Sequence, residues 1–213
     1  MVNNKNSFAV ILLFLLTSVL IIFIFCLGDE SNYKSEYAAK IDTIMDDELE
    51  IEKKFLIDKN NIPYDLEKAE ILEIEQTYVN FSPEIRVRKI NRGEDYTFAV
   101  KTNITQDGMT RNEFEDSITE YEYKELIEKK EGNTIYKTRY QFLDDDYLIA
   151  IDIFSGDLEG LAYMEIEFEN HEIANQYRAP DWVIKDVTHD LNYKNGHLAR
   201  YGIPESYYKY IEN

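Results

Sequence analysis

The sequence predicts an α+β, mainly β domain: a closed antiparallel barrel of about eight strands with a charged interior and flanking helices, preceded by one N-terminal transmembrane helix. Three observations predict it. Eight short segments read as strands, and seven of them carry charged residues on one face with the period of a strand. Their charges sort by sign from segment to segment instead of mixing with Ser, Thr, Asn and Gln. An uncharged stretch, FAVILLFLLTSVLIIFIFCL at 8–27, stands ahead of all of them.

Taken in chain order, residues 1–7 form a polar flank and 8–27 hold only Thr17 and Ser18 as polar members. At helical rise this stretch matches a hydrocarbon core of about 30 Å. A secretory signal has a shorter apolar region of roughly 7 to 15 residues, so the length favours a retained anchor. Phe25 is bulky where a lipoprotein signal needs a small residue before Cys26. The first flank carries Lys5 and no acid, whereas the second opens with Asp29 and Glu30. The positive-inside rule therefore places the domain outside the cytoplasm, an asymmetry that Lys34 and Lys40 erode. Residues 28–45 read as a linker and 46–213 as the domain.

The strands follow at 48–57, 71–80, 85–91, 95–101, 111–118, 133–142, 146–154 and 161–170. In ELEIEKKFLI, Glu48, Glu50, Glu52 and Lys54 share one face and Leu49, Ile51 and Phe55 leave it. Arg86 and Arg88 flank Val87, and Lys101 closes a strand whose other face carries Phe98 and Val100. Glu113 and Glu115 flank Phe114, Lys137 and Arg139 flank Thr138, Asp152 sits in IAIDIF, and Glu165 and Glu167 flank Ile166. Helices fit 120–130, 171–178 and 198–203, with a turn near 63–68. Trp182 reads as a packing anchor.

Composition bounds the function. A chain with 44% hydrophobic residues, eight Gly and four Pro buries a core. Its net charge of −19 argues against a nucleic-acid-coating surface, which needs clustered Lys and Arg. The single cysteine rules out an intramolecular disulfide framework and a cysteine-based zinc site. Any one strand with a charged face is ordinarily the solvated side of a sheet. Taken together, strands sorted by sign point instead to a closed barrel with its charges inside, suited to a polyanion that carries a divalent metal.

The segments also form an ordered series. EIEKK at 50–54 matches an ExExK signature, and IEQTYV, IRVRK, TFAVK, TRNEFE, YKTRY, the stretch from IAIDIF to MEIEFE, and APDWVIKDVTHDLNYKN follow in order. This series resembles the CYTH superfamily, the triphosphate tunnel metalloenzymes, over nearly all of 48–204. Thr77 stands where a glycine is common, and Asp116 follows the RxExE segment. The resemblance implies an eight-stranded tunnel that hydrolyses a triphosphate with Mg2+ or Mn2+, inorganic triphosphate ahead of nucleoside triphosphates. Lys54, Arg86, Arg88, Lys101, Lys137 and Arg139 would hold phosphate oxygens. Glu50, Glu52, Glu113, Glu115, Glu165 and Glu167 would ligate or support metal. Tyr78 is either one of 17 packing tyrosines or the partner of Lys54 in a dyad assisting water attack. Asp152 is a metal-site residue, an interior hydrogen-bond acceptor or a solvated position, and Lys194 either reaches the tunnel or lies on the surface. A class IV type adenylate cyclase would use the same contacts, though no adenine-reading motif is evident. A polyphosphate-binding module without turnover is the reading from outside the enzymes.

Overall fold

Alternation of inward and outward side chains is realised on nine strands: β1 Leu49–Ile57, β2 Glu70–Phe81, β3 Glu84–Ile90, β4 Asp95–Asn103, β5 Thr110–Ser117, β6 Glu131–Asp144, β7 Tyr147–Ser155, β8 Ala162–Glu167 and β9 Val183–Asp186. The computed structural model describes residues 49–103, 110–144 and 146–211. The expected flank, anchor and linker over 1–45 lie outside the described residues, as does Glu48. Among the described residues, no helix is long and apolar enough to cross a membrane.

The strands pair in the order β5-β4-β3-β2-β6-β7-β8-β1, and β1 returns to β5, so eight antiparallel strands close into a barrel. The closing seam is thin: among the described residues it consists of Leu49, Glu50 and Ile51 opposite Asn112, Arg111 and Thr110. Beyond it, the same edge of β1 is taken over by β9, with Phe55 opposite Asp186 and Leu56 opposite Lys185. Between the two, the backbone N–H of Lys54 donates to Thr188 Oγ1 at 3.0 Å and Val187 N–H donates to the Lys54 carbonyl at 2.9 Å. Buried backbone groups of a central strand need such partners, and here a side chain supplies one of them.

The hairpin between β3 and β4 turns through Asn91 at φ 47° and Arg92 at φ 61°, with Gly93 following at φ 106°. Two successive positive φ values match the right-handed twist of the flanking strands. Helix α1, Glu120–Ile127, starts at a capping box between Thr119 and Glu122. Its one buried residue, Tyr123, packs on Tyr96 with ring centroids 5.0 Å apart. Short helices α2 (His171–Gln176), α3 (Asn195–Tyr201) and α4 (Glu205–Ile211) follow β8, with single 3-10 turns at Leu66–Lys68, Gly156–Leu158 and Leu191–Tyr193. Strand β9 and helix α4 add to the elements expected from sequence.

Two apolar clusters result. Ile51, Phe55, Ile57, Ile149, Ile151, Met164 and Ile166 face outward from β1, β7 and β8, with Tyr64, Tyr177 and Trp182 packed against them. Leu56, Tyr78, Ile135, Phe154 and Tyr163 cluster with Tyr193, Leu198 and Ala199 from the C-terminal segment. Period two along each strand makes these five strand residues the inward neighbours of Lys54, Gln76, Lys137, Asp152 and Glu165. The interior is therefore apolar at the end under the C-terminal segment and charged beyond it.

Candidate active site

The charged stretch begins one alternation away from that apolar floor. Lys54 on β1 stands opposite Glu165 on β8, with Nζ 2.7 Å from Oε1. The ring of Tyr163 lies 5.2 Å from the same ammonium. Burial opposes a charge on Lys54, but Glu165 and Glu52 outweigh it and raise the lysine above its ordinary value. Glu52 accepts a hydrogen bond from Lys194 Nζ at 2.8 Å, and Arg111 Nη2 lies 3.4 Å from the same oxygen. Burial opposes the charge on Glu52 too. Lys194, Lys54 and Arg111 nevertheless hold it well below the usual carboxylate range.

On the opposite wall, Arg86 Nη2 donates to Glu113 at 2.8 Å, and Lys101 Nζ lies 2.7 Å from the other oxygen of that carboxylate. Arg88 donates to Glu115 at 3.1 Å and, through Nε, to Gln76 at 3.0 Å. Gln76 in turn donates to the Tyr78 hydroxyl at 2.7 Å. Tyr78 has no exposed surface and stacks on Phe81. Burial, ahead of the nearby Glu84 charge, raises its hydroxyl above the ordinary tyrosine value.

The third wall is β6 to β8. Arg139 grips Asp152 with two hydrogen bonds of 2.8 Å, and Lys137 adds a third at 2.5 Å. Arg139 also bonds Glu165. Asp152 is 0% exposed with both oxygens engaged, which makes it an interior acceptor holding two cations. Burial raises it, but Arg139 and Lys137 keep it well below the usual carboxylate range. Burial and the adjacent Arg139 push Lys137 down to about 7, against the attraction of Asp152. Glu167 stands opposite Glu52 and contributes to the field on Arg139. Glu50 lies on β1 opposite Arg111, and its side chain is outside the described part.

The fold thus brings Lys54, Arg86, Arg88, Lys101, Lys137, Arg139 and Lys194 to one interior with Glu52, Glu113, Glu115, Asp152 and Glu165. It gives Lys54 and Tyr78 different partners: Lys54 the β8 carboxylate and the Tyr163 ring, Tyr78 the Gln76 amide. Four interior residues were not singled out from sequence. Arg111 shares the period of Glu113 and Glu115, and Gln76 that of Tyr78, so alternation alone points to both. Glu84, two before Arg86, sits 3.5 Å from Arg111 and 3.9 Å from Arg86. Tyr163 shares the face of Glu165 but reads as one more apolar strand residue.

Among the described residues, no three His, Cys, Asp or Glu side chains already group as a metal cage. Each interior carboxylate is instead held by lysine or arginine. This donor set fits a hard divalent cation that arrives with phosphate, since such ions prefer oxygen and Mg2+ is commonly held by one or two carboxylates plus substrate oxygens.

A closed barrel with cations and carboxylates facing each other on its inner face defines a tunnel protein suited to a polyanion. No protein-family model matches the chain. It is 32% identical over 154 residues to an inorganic triphosphatase of Nitrosomonas europaea, covering 70% of this chain and 96% of that protein. It is likewise 32% identical to an inorganic triphosphatase of Acetivibrio thermocellus, covering 71% and 93%. A crystal structure of an inorganic triphosphatase superposes with a TM-score of 0.52 at 30% identity, over 70% of this chain and 93% of that one. The chain belongs to the CYTH family of triphosphate tunnel proteins, alongside these inorganic triphosphatases.

Proposed function

We propose that the protein hydrolyses the terminal phosphate of a triphosphate, inorganic triphosphate in preference to nucleoside triphosphates, with Mg2+ or Mn2+. The observation that carries this is the burial of Lys54, Arg86, Lys101, Arg111, Lys137 and Lys194 inside one barrel, each 7% exposed or less. Buried ion pairs contribute little net stability, because desolvation offsets their attraction. So dense a set is better explained by a polyanion that replaces the carboxylates as partner of the cations. The names of the two curated relatives support the same substrate.

Arg86, Arg88 and Arg139 present planar forks suited to two phosphate oxygens at a time, and the lysines add compact point charges. With phosphate on these cations, Glu52, Glu113, Glu115 and Glu165 would be free to hold a divalent ion, with Glu50 and Glu167 as further donors. When bound, that ion neutralises charge on the phosphate oxygens. Lys54 is kept protonated by Glu165 and Tyr78 by its burial, so both serve as hydrogen-bond donors that orient water and stabilise charge. Neither is a proton acceptor at neutral pH. Phosphoryl transfer asks mainly for such positioning and neutralisation. The apolar stretch at 8–27 is proposed to tether the domain to a membrane, with the domain on the extracytoplasmic side.

The test is phosphate release by the full-length protein in detergent, from inorganic triphosphate and from ATP, with each metal and with chelator. Metal-dependent release from triphosphate is expected. Binding without release would favour a sensing module, and cyclic AMP from ATP would favour a cyclase.

A further inference from the structure

One interior carboxylate, Glu84, ends a row of cations on a single strand. On β3 the inward residues run Arg88, Arg86, Glu84, spaced about 6.6 Å apart at the rise of a strand, so the wall turns from cationic to anionic in one step. That step heads for the apolar floor, where the C-terminal segment closes the barrel. Glu84 is opposite Lys101 on β4 and Phe81 on β2. Its Oε1 faces Arg111, whose guanidinium also meets Glu52. Its Oε2 lies against Gly196 of α3, where a Cβ would come within 3.0 Å. Glycine at that position lets the helix and the carboxylate approach each other at the end of the cationic row.

We propose that Glu84 sets the length of the phosphate chain the tunnel accepts. A chain that engages Arg88 and Arg86 reaches Glu84 next, and a further phosphate placed there meets a carboxylate that already faces Lys101 and Arg111. Glu84 also occupies one side of Arg111, which withholds from that phosphate the nearest guanidinium. Repulsion built against the longer substrate, added to attraction for the shorter, is the general route to discrimination between homologues of one series. This inference rests on the triphosphate reading of the same site.

The experiment compares inorganic triphosphate with linear tetraphosphate on the full-length protein, for wild type, Glu84→Asp and Glu84→Gln. Two quantities are read: kcat/KM with metal, and Kd by titration calorimetry in chelator, which needs no turnover. Wild type should prefer triphosphate, and Glu84→Gln should lower that preference roughly tenfold, as expected for removal of one like charge beside the ligand. Glu84→Asp, with its charge drawn back by one carbon, should fall between. Equal preference in all three proteins, or equal loss of both substrates in Glu84→Gln, overturns the proposal. If thermal melting shows that Glu84→Gln does not fold, the Asp variant decides by the same ratio. A wild type that releases no phosphate counts against hydrolysis, whereas an unchanged ratio counts against Glu84 alone.

Discussion

Lys54 and Glu165 face each other across β1 and β8 with 2.7 Å between ammonium and carboxylate, and the lysine side chain is 2% exposed. The carboxylate is 9% exposed, so both members are largely buried. Removing Glu165 leaves Lys54 with only the more distant Glu52, 4.0 Å away, and takes a carboxylate from Arg139, so Glu165→Gln should destabilise the protein by about 3 kcal/mol. At roughly 2–4 °C of Tm per kcal/mol for a chain of this size, the melting temperature drops visibly. Triphosphate added in chelator should recover much of the loss by giving Lys54 and Arg139 a new anion. Calorimetric melts with and without the anion check both parts.

Arg88 is more accessible than its neighbours and bonds only Gln76 and Glu115 among the contacts given above. Arg88→Ala leaves the buried Gln76 amide oxygen without this donor and should cost about 1–3 kcal/mol of stability. It should lower kcat/KM for triphosphate by about a hundredfold, the scale of losing one positioned group at a transition state. Steady-state kinetics beside a melting curve separates the effects, and near wild-type turnover in a folded variant would remove Arg88 from the site.

Lys137 titrates at about 7 in the fold against an ordinary value of 10.5. Between those values the unfolded chain binds a proton that the folded one lacks, so this residue makes stability rise with pH across that window. Below about pH 7 both states are protonated and the burial penalty is felt in full. Lys137→Met should accordingly gain most over wild type near or below pH 7, and the gain should shrink towards pH 10.5. Urea denaturation of both proteins near pH 6.5 and pH 9.5 reads the trend, and a gain that grows with pH would contradict it.

Thr188 supplies the hydroxyl that accepts the Lys54 backbone N–H. Thr188→Val keeps the shape and leaves that donor buried without its partner, which costs about 1–3 kcal/mol. The amide of Lys54 should also exchange faster with solvent, measurable by hydrogen exchange, whereas unchanged protection would assign the strand's hold to β9 alone.

The strands were legible because their charges recur every second residue, a signal that survives even where ends shift by a residue or two. Arg86, Arg88, Lys137 and Arg139 could be placed on an inner face because the wall needed one sign on each strand. Strand β9 escaped because its four residues, VIKD, are too few to show a period and follow Pro180 and Asp181. Helix α4, ESYYKYI, buries only Tyr207 and so carries no apolar stripe. Arg111 opens the strand expected at 111–118, and Glu84 lies one residue ahead of the strand expected at 85–91. Partners were the least legible layer: Lys194 meets Glu52 across 142 positions of sequence, a distance no local pattern encodes. Whether Tyr78 packs or partners Lys54 likewise depends on how far the strands are staggered around the barrel.

The thin seam between β1 and β5 bears on the order in which the chain can assemble. Hairpins β2–β3, β3–β4, β4–β5, β6–β7 and β7–β8 join neighbours in sequence and can form as soon as each is made. Strand β1 is the first of the nine to leave the ribosome, yet its long partner β8 is the eighth and its other edge is completed by β9. It must wait, unpaired and apolar on one face, until the remainder of the barrel exists. Such non-local pairing slows folding, and an unpaired edge invites association with other chains meanwhile. Seating β1 is therefore expected to limit the refolding rate, and the alternating charges that line the finished tunnel also keep the waiting strand soluble.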